Sequence, residues 1–300
     1  MLTDVHAHLY HPDWYPSRFQ EHLAEEYMRR RGSAPTQDRG ATLRSLNALL
    51  ADPDGSATLR VMDRAGIDRR IVHILDWGVE LGEPVLSIRE IHKIILGICA
   101  RYPDRFRGFA GVDPRRPEAI ELLQLACDEL GAAGLKLHPT SLGWTLSDER
   151  VIAMVELAAK RNLPVMVHSG KTMDILSDTN SAPAALMRLA HTCRSAKMIF
   201  GHGGWKSWRL FGDIEDLPRN VYFDISGWQE RIATDTEALG MDVKGILSKY
   251  PGRVRFGSDS PFFGYNLAFS ELRWIDFVKE RCSEIGPQAE TTVFSGLDAA

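Results

Sequence analysis

An α/β barrel of eight strand–helix units, the (β/α)8 or TIM-barrel fold, is what this 300-residue sequence predicts. Three observations point to it. Short β-branched runs alternate with amphipathic helical stretches. The rhythm repeats at about 30 residues, the size of a strand–helix–strand unit. Eight strands can be counted along the chain, and eight such units close most naturally on themselves. An open, doubly wound sheet would usually carry a glycine-rich phosphate turn after its first strand. Here that position holds His8-Leu9-Tyr10-His11-Pro12.

The elements follow in order. Residues 3–8 read as the first strand. A polar stretch over about 11–54, rich in Arg, Glu and Gly, comes next, with helical patterning over 19–31 and 41–50. It reads as a loop or helical insertion within one barrel domain spanning 1–300. The run Arg70-Ile71-Val72-His73-Ile74-Leu75 is the second strand, followed by a helix over 87–102 and a strand over 107–112. A helix over 117–130 opens on proline, whose fixed φ and missing N–H suit a first helical turn. Strands over 134–138 and 163–168 flank a helix over 148–161, and a helix within 182–192 leads to a strand over 197–202. Strands over 220–225 and 253–259 and a helix over about 267–282 complete the set.

Composition narrows the function. With 44% hydrophobic and 25% charged residues the chain reads as a soluble globular protein able to bury a large core. A net charge of −4 argues against nucleic acid or an anionic membrane as partner. No apolar run approaches the ~20 residues of a membrane span. The amino terminus shows no basic segment or signal-peptide core. Cys99, Cys127, Cys193 and Cys282 lie far apart, which reads as buried thiols in a reducing compartment. The expectation is a cytoplasmic protein with a small-molecule partner; a homodimer is the default assembly.

In such barrels chemistry collects at the carboxyl ends of the strands. Five of the eight expected strands end in a group able to bind metal or a proton: His6 and His8, His138, His168, His202 and Asp259. Asp224-Ile225-Ser226 is a weaker sixth. Residues i and i+2 of a strand share a face, so His6 and His8 should aim at one point. Singly, each has a plain explanation: a lone strand-end His is often structural, and an Asp before Ser-Pro caps a turn. Ten histidines scattered at random would not place so many at one rim. His202-Gly203-Gly204 lets backbone approach closely. Asp259, on the last strand of a closed barrel, should stand beside His6 and His8, where a carboxylate can ligate a cation and shuttle a proton.

Lys136 shares parity with His138 and should face the barrel interior, where an ammonium is costly unless paired. It reads as a holder of a substrate carboxylate or a partner of Asp259. His73 sits mid-strand and reads as a core histidine. His11, Trp144, Lys171, Trp205 and Trp228 fall on rim loops, where they either shape a pocket or simply pack. His22, His92 and His191 lie on helices and carry no assigned role.

Four motifs occur in order: Asp4-x-His6-x-His8, Val167-His168, Phe200-Gly201-His202-Gly203-Gly204 and Phe256-Gly257-Ser258-Asp259-Ser260-Pro261. Together they resemble the amidohydrolase superfamily, in the branch similar to aminocarboxymuconate semialdehyde decarboxylase, over nearly the whole chain. The resemblance implies one divalent metal held by His6, His8, His168 and Asp259, with His202 as an acid/base or substrate-polarising group. Three neutral imidazoles and a carboxylate suit zinc with an open position for water, and manganese or iron also fits. In two-metal relatives a carbamylated lysine on the Lys136 strand bridges the ions. The chain departs from the family pattern at Phe294-Ser295-Gly296-Leu297-Asp298, where relatives tend to have a Gly-Asn-Ala-like helix start. It also has Ser258-Asp259-Ser260 where Thr-Asp-Tyr is usual, which should remove an aromatic ring from the mouth.

Three functions follow as expectations. The first is a hydrolase of a small amide, ester or lactone, in which metal lowers the pKa of bound water to about 7 and Asp259 takes its proton. His202 would help stabilise the oxyanion. The second is a non-oxidative decarboxylase of an aromatic or unsaturated acid, which needs a cationic anchor such as Lys136, Lys171, Arg18 or the Arg29–Arg31 run. The third, a non-catalytic binding protein, would be expected to lack ligands, and this chain has the full set.

Overall fold

The computed structural model describes residues 1–30, 38–141, 143–212, 215–262 and 267–297. Eight parallel strands run in sequence order: β1 (Thr3–Ala7), β2 (Arg69–His73), β3 (Phe106–Gly111), β4 (Gly134–Leu137), β5 (Val165–His168), β6 (Met198–Gly201), β7 (Val221–Asp224) and β8 (Val254–Arg255). The ring closes between its last and first strands. Val5 N–H donates to Phe256 C=O at 2.9 Å, Asp259 N–H to His6 C=O at 2.7 Å, and His8 N–H to Ser260 C=O at 2.7 Å. The fold is the (β/α)8 TIM barrel that the alternating pattern predicts.

Three helices, α1 (Ser17–Arg30), α2 (Arg39–Leu50) and α3 (Ser56–Ala65), fill the connection from β1 to β2. Then come α4 (Gly78–Leu81), α5 (Ile88–Arg101), α6 (Ala119–Asp128), α7 (Glu149–Lys160), α8 (Pro183–Thr192), α9 (Thr236–Lys249), α10 (Leu267–Ser283) and α11 (Pro287–Val293). Local chemistry sets these ends. Ser87 and Glu90 form a reciprocal capping box on α5, which buries Ile88, Ile91, Ile95 and Ile98 at helical spacing. Pro183 opens α8.

The expected elements are present, with four added helices and one shortened strand. Helices α3, α4, α9 and α11 are the additions. Gly240 and Gly245 weaken the helical signal of α9, yet a Cβ at Gly245 would meet the Trp208 indole at 2.7 Å, so packing outweighs propensity. The eighth strand is regular only over Val254–Arg255 instead of 253–259. Beyond it the chain reaches Asp259 at φ 56°, a left-handed backbone that no pleated strand accommodates.

Two apolar layers surround the sheet. Val5, Ile71, Phe109, Met166 and Ile199 fill the barrel interior, while Val72, Leu135, Leu137, Val165, Val167, Phe200, Phe223 and Phe256 belong to the larger core that includes the helices. Between the barrel wall and α10 lies a buried ionic triad. Arg70 Nε stands 3.0 Å from Asp4 Oδ2, and Arg70 Nη2 donates to Glu271 Oε2 at 2.8 Å. Asp4 also accepts from the Ser258 N–H and hydroxyl at 2.9 and 2.6 Å and from the His6 N–H at 3.1 Å. Among the described residues no helix is long and apolar enough to cross a membrane.

Candidate metal centre

Strict alternation along β1 would put Asp4, His6 and His8 on one face. The structure departs from that. Asp4 pairs with Arg70 in register, but Ala7 pairs with Val72, so β1 carries one extra residue between them. This bulge resets the pleat. Asp4 engages Arg70 beside α10, Val5 joins the interior cluster, and His6 and His8 both reach the barrel mouth. Space for the His6 ring comes from two glycines. A Cβ at Gly201 would lie 3.1 Å from His6 Cε1, and one at Gly257 would lie 3.0 Å from His6 Cβ.

Hydrogen bonds orient each ring. His6 Nδ1 meets Asp224 Oδ2 at 3.0 Å and Ser226 Oγ at 3.0 Å. His8 Nδ1 meets the His73 carbonyl at 2.8 Å, and His202 Nδ1 meets the Ser226 carbonyl at 3.0 Å. The single Ser226 hydroxyl proton goes to Asp224 Oδ1, its shortest contact, so Ser226 Oγ accepts from the imidazoles. Each of these Nδ1 atoms therefore carries its proton, and each Nε2 presents a lone pair. Asp259 Oδ1 stands 3.1 Å from His8 Nε2 and 3.7 Å from His6 Nε2, and the ligand atoms of these three residues lie within 4.8 Å of one another. His168 stands in the same cluster, its ring centroid 4.7 Å from that of His202, which in turn lies 4.7 Å from that of His6. His168 Nε2 is buried with no hydrogen-bond partner among the described residues. A buried imidazole nitrogen left in this way, beside two presented lone pairs and a carboxylate, fits a divalent cation.

Lys136 does reach the interior, where Asp259 acts on it through charge and His6 is its hydrogen-bond partner. Its Nζ lies 2.9 Å from His6 Nε2. That is the lone pair a metal would take, so cation binding requires Lys136 to give up either this contact or its charge. Burial pulls the Lys136 ammonium down to about 8, against the pull of Asp259 and Asp224. Burial, followed by nearby Lys136, holds His6 well below its ordinary value, and burial does the same at His138 and His168. For Asp259, burial pushes upward, yet His6, His8 and His202 outweigh it and keep the carboxyl below the usual carboxylate range. The centre thus sets neutral imidazoles at His6, His138 and His168 beside an ionised Asp259 carboxylate.

Asp224 ties the centre together. Fully buried, it holds His6 through Oδ2, while Oδ1 accepts from the His202 N–H at 3.2 Å and the Ser226 N–H at 2.8 Å. His202 and Asp259 both sit in left-handed backbone, φ 60° and 56°. Such strain in non-glycine residues concentrates at functional sites.

Above the centre opens a pocket of about 970 Å³. His6, His8, Lys136, His168, His202 and Asp259 line it, as do His138, Lys171 and Trp205. His138 stacks on His168 with ring centroids 4.2 Å apart. Trp144 lies elsewhere: it is buried beside a small cavity of about 250 Å³ shared with Lys136 and His138. His73 is more than a core residue, since its ring packs 4.8 Å from His6 and its carbonyl orients His8. Trp228 is buried and donates to the His202 carbonyl at 2.7 Å. His11 caps a short 3-10 turn at Pro12–Trp14. Arg18 does not line the pocket, whereas Arg29 and Arg30 do; Arg31 lies outside the described residues, as does Asp298.

Sequence reasoning misses the wall. Helix α1 contributes Phe19, His22 and Leu23, and Trp77 and Phe262 complete an aromatic side. Phe262 packs 5.3 Å from the His8 ring, so the ring expected to be lost at position 260 is supplied two residues later. The helical spacing of Phe19 and Leu23 marks a buried stripe, but nothing local says that it faces the barrel mouth.

Residues 3–294 match the family model described as amidohydrolase. No curated protein sequence matches the chain. Among solved structures, the 5-carboxyvanillate decarboxylase of Novosphingobium aromaticivorans, complexed with manganese and 4-hydroxy-3-methoxy-5-nitrobenzoic acid, is 18% identical with a TM-score of 0.64, covering 99% of this chain and 94% of that one. The 2,6-dihydroxybenzoate decarboxylase from Rhizobium is 16% identical with a TM-score of 0.59, covering 98% of each chain. A probable 2-pyrone-4,6-dicarboxylic acid hydrolase from Acinetobacter baumannii, with citric acid bound, is 17% identical with a TM-score of 0.56, again covering 98% of each. At these identities the likeness establishes the shared barrel.

Proposed function

The chain belongs to the amidohydrolase family, and from that premise we propose that it is a metal-dependent hydrolase of a small amide, ester or lactone. The ionised Asp259 carboxylate, set against the presented Nε2 atoms of His6 and His8, carries this reading. Hydrolysis needs a proton acceptor where water attacks, and the centre is rich in acceptors. A divalent ion held by His6, His8, His168 and Asp259 would polarise a carbonyl and acidify water. Its identity is read as zinc from the donor set, and the manganese of the carboxyvanillate decarboxylase complex supports that ion equally.

The side chains divide the remaining work. Asp259 takes the attacking water's proton and returns it to the leaving group. His202 starts with a bare Nε2, because its Nδ1–H is committed to Ser226, so it too begins as a proton acceptor and turns donor once protonated. Asp224 and Ser226 hold both imidazoles in the productive tautomer. The test is turnover of the metal-loaded enzyme on a panel of lactones, esters and amides. Asp259→Asn should retain metal and lose at least about a hundredfold in kcat. Near wild-type turnover by that variant overturns the role.

A second reading, non-oxidative decarboxylation, rests on Lys136. Its amine, at about 8, stays protonated at neutral pH and is the cation nearest the centre. Phe19, Trp77 and Phe262 suit a planar ring. Two of the neighbours above are described as decarboxylases of aromatic acids. Lys136 would then deliver a proton to the carbon that loses CO2. Trapping of CO2 from aromatic acids, with no cleavage of esters or lactones, decides for this reading. We keep one ion and an unmodified Lys136 as the reading; intact-mass measurement under CO2 tests it against a carbamylated, two-metal centre.

A further inference from the structure

Beside the pocket lies a second, wider concavity of about 1520 Å³. The two share Glu26, Arg30, Lys171, Trp205 and Glu230 in their walls, so the outer one is an antechamber to the inner. Its acids are neutralised within the wall: Glu26 faces Arg29 and Arg30, and Glu230 faces Arg30. Arg231 is likewise committed, to Asp235 and Asp242. Three further cations remain, Lys171, Lys206 and Arg273. All are exposed, and none has a carboxylate partner among the described residues. They come from three separate parts of the chain, the segment after β5, the 3-10 segment His202–Phe211 and α10, so local sequence does not explain their convergence.

Trp205 stands at the passage. It lines both spaces, is half-buried, and adopts φ 55°, ψ −132°, a conformation unfavourable for a bulky side chain. Its position is tightly held. A Cβ on Gly170 would lie 2.9 Å from Trp205 Cβ and 2.8 Å from the Gly204 carbonyl carbon. The chain thus keeps a strained aromatic between the candidate metal centre and three positive charges without a carboxylate partner among the described residues, on a protein whose net charge is −4. Such a concave cluster concentrates anions.

We propose that the antechamber binds a second anionic group of the substrate, a carboxylate or phosphate, so that the natural substrate is a small molecule with two acidic ends and one of them lies at the barrel centre. This rests on the proposed metal-dependent chemistry only for the location of the reacting end.

The test uses the metal-loaded enzyme and isothermal titration. Straight-chain dicarboxylates from adipate to sebacate are compared with monocarboxylates of equal carbon number, and inorganic phosphate serves as a free anion. The best dicarboxylate should bind about tenfold or more tightly than its matched monocarboxylate, and added salt should erode that advantage. Lys206→Ala/Arg273→Ala, which alters only exposed residues of the antechamber, should abolish the advantage and leave monocarboxylate affinity unchanged. Equal affinity at every chain length overturns the proposal, as does an advantage that survives the double variant. Simultaneous binding of phosphate and dicarboxylate also overturns it, since the antechamber would then serve a separate anion. Metal removal, which should weaken the monocarboxylate, reports separately on the metal-centre reading.

Discussion

Replacing Arg70 by Met should cost this protein more stability than its distance from the barrel mouth implies. Arg70 is 1% exposed and lies between two buried carboxylates, Asp4 and Glu271, at 3.0 and 2.8 Å. Methionine fills much of the volume but leaves two acids facing each other without a cation, and breaking a buried pair in this way costs about 3–5 kcal/mol. An unfolding entropy of about 2.1 cal/mol/K per residue gives about 0.6 kcal/mol/K for a chain of this length, so the Tm should fall by about 5–8 °C. The loss should depend on pH. Burial and then Glu271 already raise the Asp4 carboxyl to about 6, with Arg70 opposing them. Without Arg70 it rises further, so the folded variant binds that proton more tightly than the unfolded chain does. Its stability is then intact at low pH and lost as pH climbs through the new folded value. Scanning calorimetry should show a small deficit against wild type near pH 5 and a much larger one near pH 8. Asp4→Asn/Arg70→Met/Glu271→Gln, which removes every charge, should recover most of it. A Tm within about 1 °C of wild type near pH 8, or equal deficits at both pH values, refutes the reasoning.

Four further outcomes are expected. Asp224→Asn should weaken divalent-metal affinity by about 10–100-fold, measured by chelator competition, because Nδ1 of His6 loses its carboxylate; unchanged affinity removes Asp224 from the positioning role. In metal-free protein, Lys136→Met should raise stability near neutral pH by up to about 3 kcal/mol. The folded amine sits near 8 against an ordinary 10.5, so its contribution is intact at high pH and lost as pH falls through that window. The gain should therefore shrink toward pH 10, and a gain independent of pH argues against a buried ammonium. Gly257→Ala should lower stability by about 1–3 kcal/mol and weaken metal binding, since its Cβ would meet Ser226 Cβ at 2.9 Å and His6 Cβ at 3.0 Å. Gly97→Ala on α5, with nothing within 4 Å, should stabilise instead, and equal effects at the two sites would undo the argument.

The barrel is legible in the sequence because its strands are apolar runs and its helices carry stripes, both local signals. The mouth is legible for a related reason: His168, His202 and Asp259 end such runs, and strand ends share one rim. What escapes is long-range or irregular. The pleat rule places His6 and His8 together but would place Asp4 with them, and only the bulge separates a structural acid from two candidate ligands. Trp144 and Phe262 both sit in loops, where no period indicates direction; one turns away from the main pocket and the other into it. The His6 contact of Lys136 spans 130 residues and follows only from the closed ring.

Helix α1 also separates two kinds of change. The candidate ligands sit at strand ends of the barrel, whereas much of the apolar wall rides on one excursion between β1 and β2. That excursion is clipped to the rim by partly exposed ion pairs, Arg29 with Asp174 and Arg30 with Glu230, each worth about 0–1 kcal/mol. Change in this segment therefore alters what the pocket accepts while the centre beneath stays fixed, provided the buried bulk of Phe19 and Leu23 is kept. For a protein engineer, Phe19, His22 and Leu23 form a cassette: a library confined to three positions on one helix would sample new substrates without touching the centre that turns them over.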